Sequence, residues 1–244
     1  MMSCRCHVPS RLGRFLLAMV WLATVATLDS RVVAQQVPQN DVEGLGFSMA
    51  PKEGGKARTS LFGVVGEGYK FVYVFDRSGS MGGSGQRALR AAKGELIRSL
   101  EPLDTVHQFQ LIFYNEQPLL FNPSGTPGRL AFATDANKRR AIRFIESVQA
   151  DGGTNHEDAL RLAIRLQPDV IFLLTDADEP TLTAAQLDKI RTLAAGIVIN
   201  AIEFGDGPKP AGASFLETLA RENGGGYAYV DLSKRAADGR EKKQ

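Results

Sequence analysis

The chain has 244 residues, 43% hydrophobic and 23% charged, which are ordinary values for a globular protein and exclude global disorder. Its formal net charge of +2 sits largely at the N-terminus. Residues 1–34 hold Arg5, Arg11, Arg14 and Arg31 against Asp29, and the remainder has 25 basic and 26 acidic residues, a balance that excludes the electrostatic footprint of a nucleic-acid-binding domain.

In chain order, residues 1–34 read as an export signal. Three arginines precede an apolar stretch, Phe15 to Leu28, and Val32-Val33-Ala34 offers small residues for cleavage after Ala34. The apolar stretch is 14 residues long, short of the roughly 20 that span a bilayer. An uncleaved signal anchor is the alternative, and it is the only membrane association the sequence suggests. Either way the folded domain is expected outside the cytoplasm, secreted or in the periplasm or cell envelope. Both cysteines, Cys4 and Cys6, fall in this leader, so the exported part has no disulfide, thiol nucleophile or cysteine metal site.

Residues 35–67 read as a linker, with room for a short strand between Thr59 and Val65. Beyond it, apolar strand-like runs at residues 70–75, 107–114, 169–175, 197–204 and 226–230 alternate with helical patterns. The helical sets are Leu89, Ala92, Leu96 and Leu100; Ile142, Ile145 and Val148; Leu160, Ala163 and Ile164; Leu187, Ile190 and Ala194; and Phe215, Leu216 and Leu219. The run Val170 to Leu174 is apolar on both faces, as parallel strands between helix layers are. The alternation predicts one α/β doubly wound, Rossmann-like domain with a mostly parallel sheet. Within residues 119–132, Asn122-Pro123 and Pro127-Gly128 interrupt the pattern, and a short antiparallel edge strand followed by turns fits there. Residues 233–244 form a charged tail.

In such a sheet, ligands gather outside the carboxyl ends of the strands, near the switch in strand order. Three such places carry oxygen-bearing side chains: Asp76-Arg77-Ser78-Gly79-Ser80, then Asp151-Gly152-Gly153-Thr154 after the helix expected to end near Ala150, then Thr175-Asp176-Ala177-Asp178. Asp76, Ser78, Ser80, Thr154 and Asp176 together offer two carboxylates and three hydroxyls. These hard oxygen ligands suit Mg²⁺, with Mn²⁺ or Ca²⁺ as alternatives, rather than zinc, which favours His and Cys. Mg²⁺ takes six oxygens, so five protein positions leave one for an outside oxygen.

At these residues the sequence resembles the von Willebrand factor type A (vWA) domain. That family's metal-ion-dependent adhesion site uses D-x-S-x-S on the first strand-to-helix loop, a Thr on a second loop and an Asp on a third. Asp76, Ser78, Ser80, Thr154 and Asp176 match these positions in order, and the resemblance covers residues 68–232. It implies a Rossmann-like domain that holds a divalent cation and, through it, binds a protein partner's acidic side chain. The chain departs from the family in having Asp178 and Glu179 just after the final Asp. Their charge either tightens cation binding or weakens attraction for an acidic partner.

Plainer readings stand beside these. Asp76, Ser78 and Ser80 could cap the following helix. Thr154 with Glu157 reads as a capping box. His156 adjoins the site, although a surface position in a first helical turn is the plainer reading, and His107 starts a strand. Arg77 either salt-bridges locally or meets an acidic partner. Asn155, Asp178 and Glu179 are further flanking candidates.

Three functions compete. The leading one is a non-enzymatic, cation-dependent binding module. A metal-stabilised structural subunit of a cell-envelope assembly keeps the same fold. A phosphatase of the haloacid dehalogenase type also ends its first strand in Asp, but it needs a carboxylate two residues on, where this chain has Ser78. A serine hydrolase lacks its G-x-S-x-G elbow, and no P-loop motif occurs.

Overall fold

A computed structural model describes residues 55–126, 128–177 and 180–234, all within one unit of the chain, Met49–Gln244. The expected leader with its two cysteines, linker residues 35–54, Asp178, Glu179 and the tail from residue 235 lie outside the described residues.

Strand β3 (Lys70–Asp76) forms the middle of the sheet because Phe71 to Phe75 are apolar on both faces and every one is buried. Burying a side chain of this size stabilises the fold by about 1.5–3 kcal/mol. It pairs in parallel with β4 (Gln108–Tyr114) and with β7 (Val170–Thr175), and β8 (Val198–Gly205) and β9 (Tyr227–Asp231) continue outward. The parallel strands run β4-β3-β7-β8-β9 across the sheet. The order reverses between β3 and β7, which opens a crevice at their carboxyl ends. Register keeps those ends level, with Asp76 opposite Tyr114 and Phe75 opposite Leu174.

Alternate side chains of β3 feed two separate cores. Phe71, Tyr73 and Phe75 pack with Leu89, Ala92 and Leu96 of α1 (Gly83–Leu100) and with Ala141 and Ile145 of α2 (Asp135–Ser147). Val72 and Val74 pack with residues of α3 (His156–Arg165), α4 (Ala184–Leu193) and α5 (Phe215–Glu222), among them Leu160, Ile190 and Leu219. All five helical patterns expected from the sequence are helices here. The interrupted stretch at 119–132 carries two short strands, β5 (Pro118–Leu120) and β6 (Ala131–Phe132), both antiparallel to β4.

The segment with room for one short strand holds two. Strands β1 (Ala57–Leu61) and β2 (Val64–Gly68) form a hairpin. Its turn residues, Phe62 and Gly63, both have positive φ (47° and 84°), which matches the right-handed twist of the strands. Ala57, Leu61 and Val64 join the core on the α1 side. Gly66 crosses Phe172 so closely that a Cβ there would lie 2.8 Å from the ring. Glycines that look like linker composition are therefore close-packing positions.

Candidate metal centre

Asp76 ends β3 fully buried, and both its carboxylate oxygens are engaged. Oδ1 accepts from the backbone N–H of Ser78 at 2.7 Å, and Oδ2 accepts from the Thr175 hydroxyl at 2.6 Å. The Thr175 oxygen in turn accepts from the N–H of Ala177 at 3.1 Å, fixing the chain on either side of Asp176. The Ser78 and Ser80 hydroxyl oxygens lie 3.1 Å apart. A short 3-10 turn, Ser80–Gly82, leads into α1, whose N-cap is Gly82 with no side-chain cap. Neither Asp76, Ser78 nor Ser80 caps that helix, so the plainer reading of these three does not hold.

The second loop is bonded directly to the first. Gly79 N–H donates to the Gly152 carbonyl and Asp151 N–H to the Arg77 carbonyl, each at 2.9 Å. The Arg77 guanidinium pairs with Asp151, so its charge is used locally. Asn115 Nδ2 donates to the Asp151 carbonyl at 3.0 Å and to its carboxylate at 3.1 Å, and the Asn115 carbonyl accepts from Asn155 N–H at 2.9 Å. Gly152 has φ +71°, and a Cβ there would sit 2.8 Å from Asn115 Nδ2, so the position requires glycine.

Helix α3 begins one residue later than a Thr154 cap requires. Its N-cap is Asn155, whose side-chain oxygen accepts from Asp158 N–H at 3.2 Å. The Thr154–Glu157 capping box is thus corrected. Glu157 instead accepts from Gln186 at 2.8 Å and Lys189 at 2.9 Å on α4, and hydrogen bonds from these two hold its carboxyl below the usual glutamate range. His156 is not a surface residue either. It is 2% exposed, with Nδ1 2.8 Å from the Tyr114 hydroxyl and its ring 5.3 Å from that of Phe215. His107 precedes β4 and is also buried, with Nδ1 accepting from Asp104 N–H at 2.8 Å.

Asp176 follows β7 at the same end of the sheet as Asp76. With Ser80 it lines a cavity of about 270 Å³ that also contacts Arg87, Phe204 and Asp206. Thr154 and Asn155 line a separate cavity with Glu116 and His156, so Thr154 does not share the cavity of Ser80 and Asp176. Tyr114, buried beneath the site, has its phenol pushed well above the usual value, first by burial and then by the charges of Asp76 and Asp176. Asn115 and Tyr114 support the site without having been singled out from sequence, whereas Thr175 stood in the third strand end with no role assigned to it. A hydroxyl ending a wholly apolar strand was the one available signal, since a buried hydroxyl needs a partner.

The residues present fit a hard cation. Among the described residues no group of three or more His, Cys, Asp and Glu that could hold a metal ion occurs. Neighbouring oxygens on an octahedral Mg²⁺ with bonds of 2.0–2.1 Å lie about 2.9 Å apart. The Ser78–Ser80 separation of 3.1 Å is close to that edge.

A doubly wound, mostly parallel sheet with helices packed on both faces defines a Rossmann-like α/β domain. The family model for the von Willebrand factor type A domain matches residues 70–229, and the chain belongs to that family. Human inter-alpha-trypsin inhibitor heavy chain H4 (Homo sapiens) is 33% identical over 172 residues, covering 63% of this chain and 17% of the relative. The bovine H4 chain (Bos taurus) is 30% identical over 171 residues, 63% of this chain and 18% of the relative. The chain thus spans less than a fifth of the length of these curated relatives. Among solved structures, a von Willebrand factor type A protein from Catenulispora acidiphila aligns with TM-score 0.58 at 22% identity, over 73% of this chain and 43% of that one. BatB from Bacteroides thetaiotaomicron gives 0.51 at 20%, over 72% and 96%. Proximal thread matrix protein 1 from the mussel byssus, with a zinc-occupied MIDAS motif, gives 0.50 at 19%, over 69% and 43%. At these identities the structural likeness speaks for the fold.

Proposed function

We propose that this protein is a non-enzymatic, cation-dependent binding module that works outside the cytoplasm. Asp76, Ser78, Ser80, Thr154 and Asp176 would hold one divalent cation, Mg²⁺ in the first place, with Mn²⁺ and Ca²⁺ as alternatives. Zinc in the mussel protein's motif adds a further cation to test. When bound, the cation supplies a Lewis-acidic position that a carboxylate oxygen of a protein partner can fill. The observation that carries this reading is the pair of serine hydroxyls 3.1 Å apart beside a buried Asp76 that Thr175 holds in place. A cation held there would be attracted to this carboxylate.

The same geometry argues against catalysis. Ser78 stands where a phosphatase needs its acid, and the Ser78 hydroxyl beside Ser80 is no base that could activate a nucleophile. Export rests on the leader at residues 1–34. Among the described residues no helix is long and apolar enough to cross a membrane.

Calorimetric titration with Mn²⁺ tests the reading on the purified chain and on Asp76→Ala. The expected result is micromolar-range binding by the wild type, lost in the variant while circular dichroism stays native-like. Equal affinity in both would overturn it, and metal-dependent phosphate-ester hydrolysis that disappears in Asp76→Asn would overturn the non-enzymatic part.

A further inference from the structure

The cavity beside Ser80 and Asp176 has a charged rim that the metal reading does not use. Arg87 projects from α1 and Asp206 follows β8, 119 positions away in the chain. Both Asp206 oxygens contact Arg87 Nη2, at 3.3 and 3.1 Å, and Asp206 is the only carboxylate paired with Arg87 among the described residues. Arg87 and Asp206 are partly exposed, with side chains 36% and 63% accessible. A guanidinium carries five N–H donors arranged as a fork suited to two carboxylate oxygens. Here a single nitrogen takes both oxygens, so the fork has further donors to offer. The cavity lining also includes the apolar side chains of Ala88, Phe204 and Leu232.

We propose that Arg87 is a second anchor for the partner of the metal site, and that Asp206 competes for it. The partner is then a segment with two neighbouring acidic side chains, one for the cation and one for Arg87. The dimensions agree. Taken as a sphere, 270 Å³ is about 8 Å across, within reach of carboxylates on adjacent residues whose Cα atoms lie about 3.8 Å apart. Charge complementarity selects this partner over an apolar one. A Glu or Asp arriving at Arg87 makes a charge-assisted pair with donors that Asp206 leaves over, or displaces Asp206 altogether. The inference rests on the metal reading but concerns different residues.

Two short capped peptides test it in Mg²⁺: one with two adjacent glutamates, one with glutamate followed by glutamine. The wild type is expected to prefer the diacid by about fivefold, the upper range for an exposed ion pair. Arg87→Gln should lose that preference while Mn²⁺ affinity stays at the wild-type value. Asp206→Asn should tighten diacid binding, and the gain should vanish in the Arg87→Gln background. A preference that survives in Arg87→Gln overturns the proposal, as does an Asp206→Asn gain that persists without Arg87, which would mark simple repulsion. A wild type that binds Mn²⁺ but does not discriminate between the peptides overturns this inference alone. A wild type that binds no Mn²⁺ overturns the metal reading and this inference with it.

Discussion

Thr175 donates its hydroxyl to Oδ2 of Asp76 at 2.6 Å, joining two strand ends 99 positions apart in the chain. The Thr175 hydroxyl oxygen itself accepts from Ala177 N–H, so one hydroxyl orients the carboxylate of the first loop and shapes the backbone around Asp176. Replacing Thr175 with Val keeps the shape and removes both bonds. The expected cost is about 1–3 kcal/mol of stability, because a buried acceptor and a donor lose their partner. Mn²⁺ affinity should fall, and Thr175→Ser should recover most of it. Titration of the three proteins decides the matter, and unchanged affinity in Thr175→Val would mean that Asp76 is held well enough without Thr175.

Thr154 and Asn155 are adjacent, yet the helix cap falls to Asn155. Two substitutions should therefore separate stability from binding. Asn155→Ala is expected to lower stability by about 1 kcal/mol, the usual value of an N-cap, with Mn²⁺ affinity close to wild type. Thr154→Val should leave thermal stability nearly unchanged and weaken Mn²⁺. The reverse pattern would remove Thr154 from the ligand set.

Gly152 and Gly125 share a left-handed backbone, with φ +71° and +76°, but differ in surroundings. A Cβ at Gly152 meets Asn115 Nδ2 at 2.8 Å, whereas at Gly125 nothing lies within 4 Å. Both alanine variants incur the left-handed penalty of about 1–2 kcal/mol. Only Gly152→Ala should cost more than that and also reduce Mn²⁺ affinity, because Gly152 holds Gly79 through its carbonyl. Urea midpoints with parallel titrations read both effects, and equal losses in the two variants would show that the crowding is relieved without consequence.

Asp178 and Glu179 add negative charge just after Asp176 in the chain. Two unit charges about 4 Å apart interact by about 4 kcal/mol at an effective dielectric near 20, enough to set ligand preference. We hypothesise that these residues weaken acidic-ligand binding. The double variant Asp178→Ala, Glu179→Ala should then bind an acidic peptide more tightly in Mg²⁺ than the wild type does. Weaker or unchanged binding would place them outside that role.

Sequence by itself determined the five parallel strands, the five helices and the class of fold. Runs such as Phe71 to Phe75 and Val170 to Leu174 are too apolar for any place but the middle of a parallel sheet, and that constraint is local. It also placed Asp76 and Asp176 at strand ends, since each follows such a run. Tertiary structure alone decided the rest. The β1–β2 hairpin was hidden because Gly66 and Gly68 suggest a linker until Phe172 and Asp169 are seen against them. Asn155 rather than Thr154 caps α3, and two side chains have partners distant in the chain: His156 is buried against Tyr114 and Phe215, and Arg77 is held by Asp151. Hydrophobic periodicity is written in neighbouring residues, whereas hydrogen-bond and ion-pair partners are chosen by which loops the folded sheet brings together. Arg87 and Asp206, unremarkable in the sequence, meet for that reason at the rim of the candidate site.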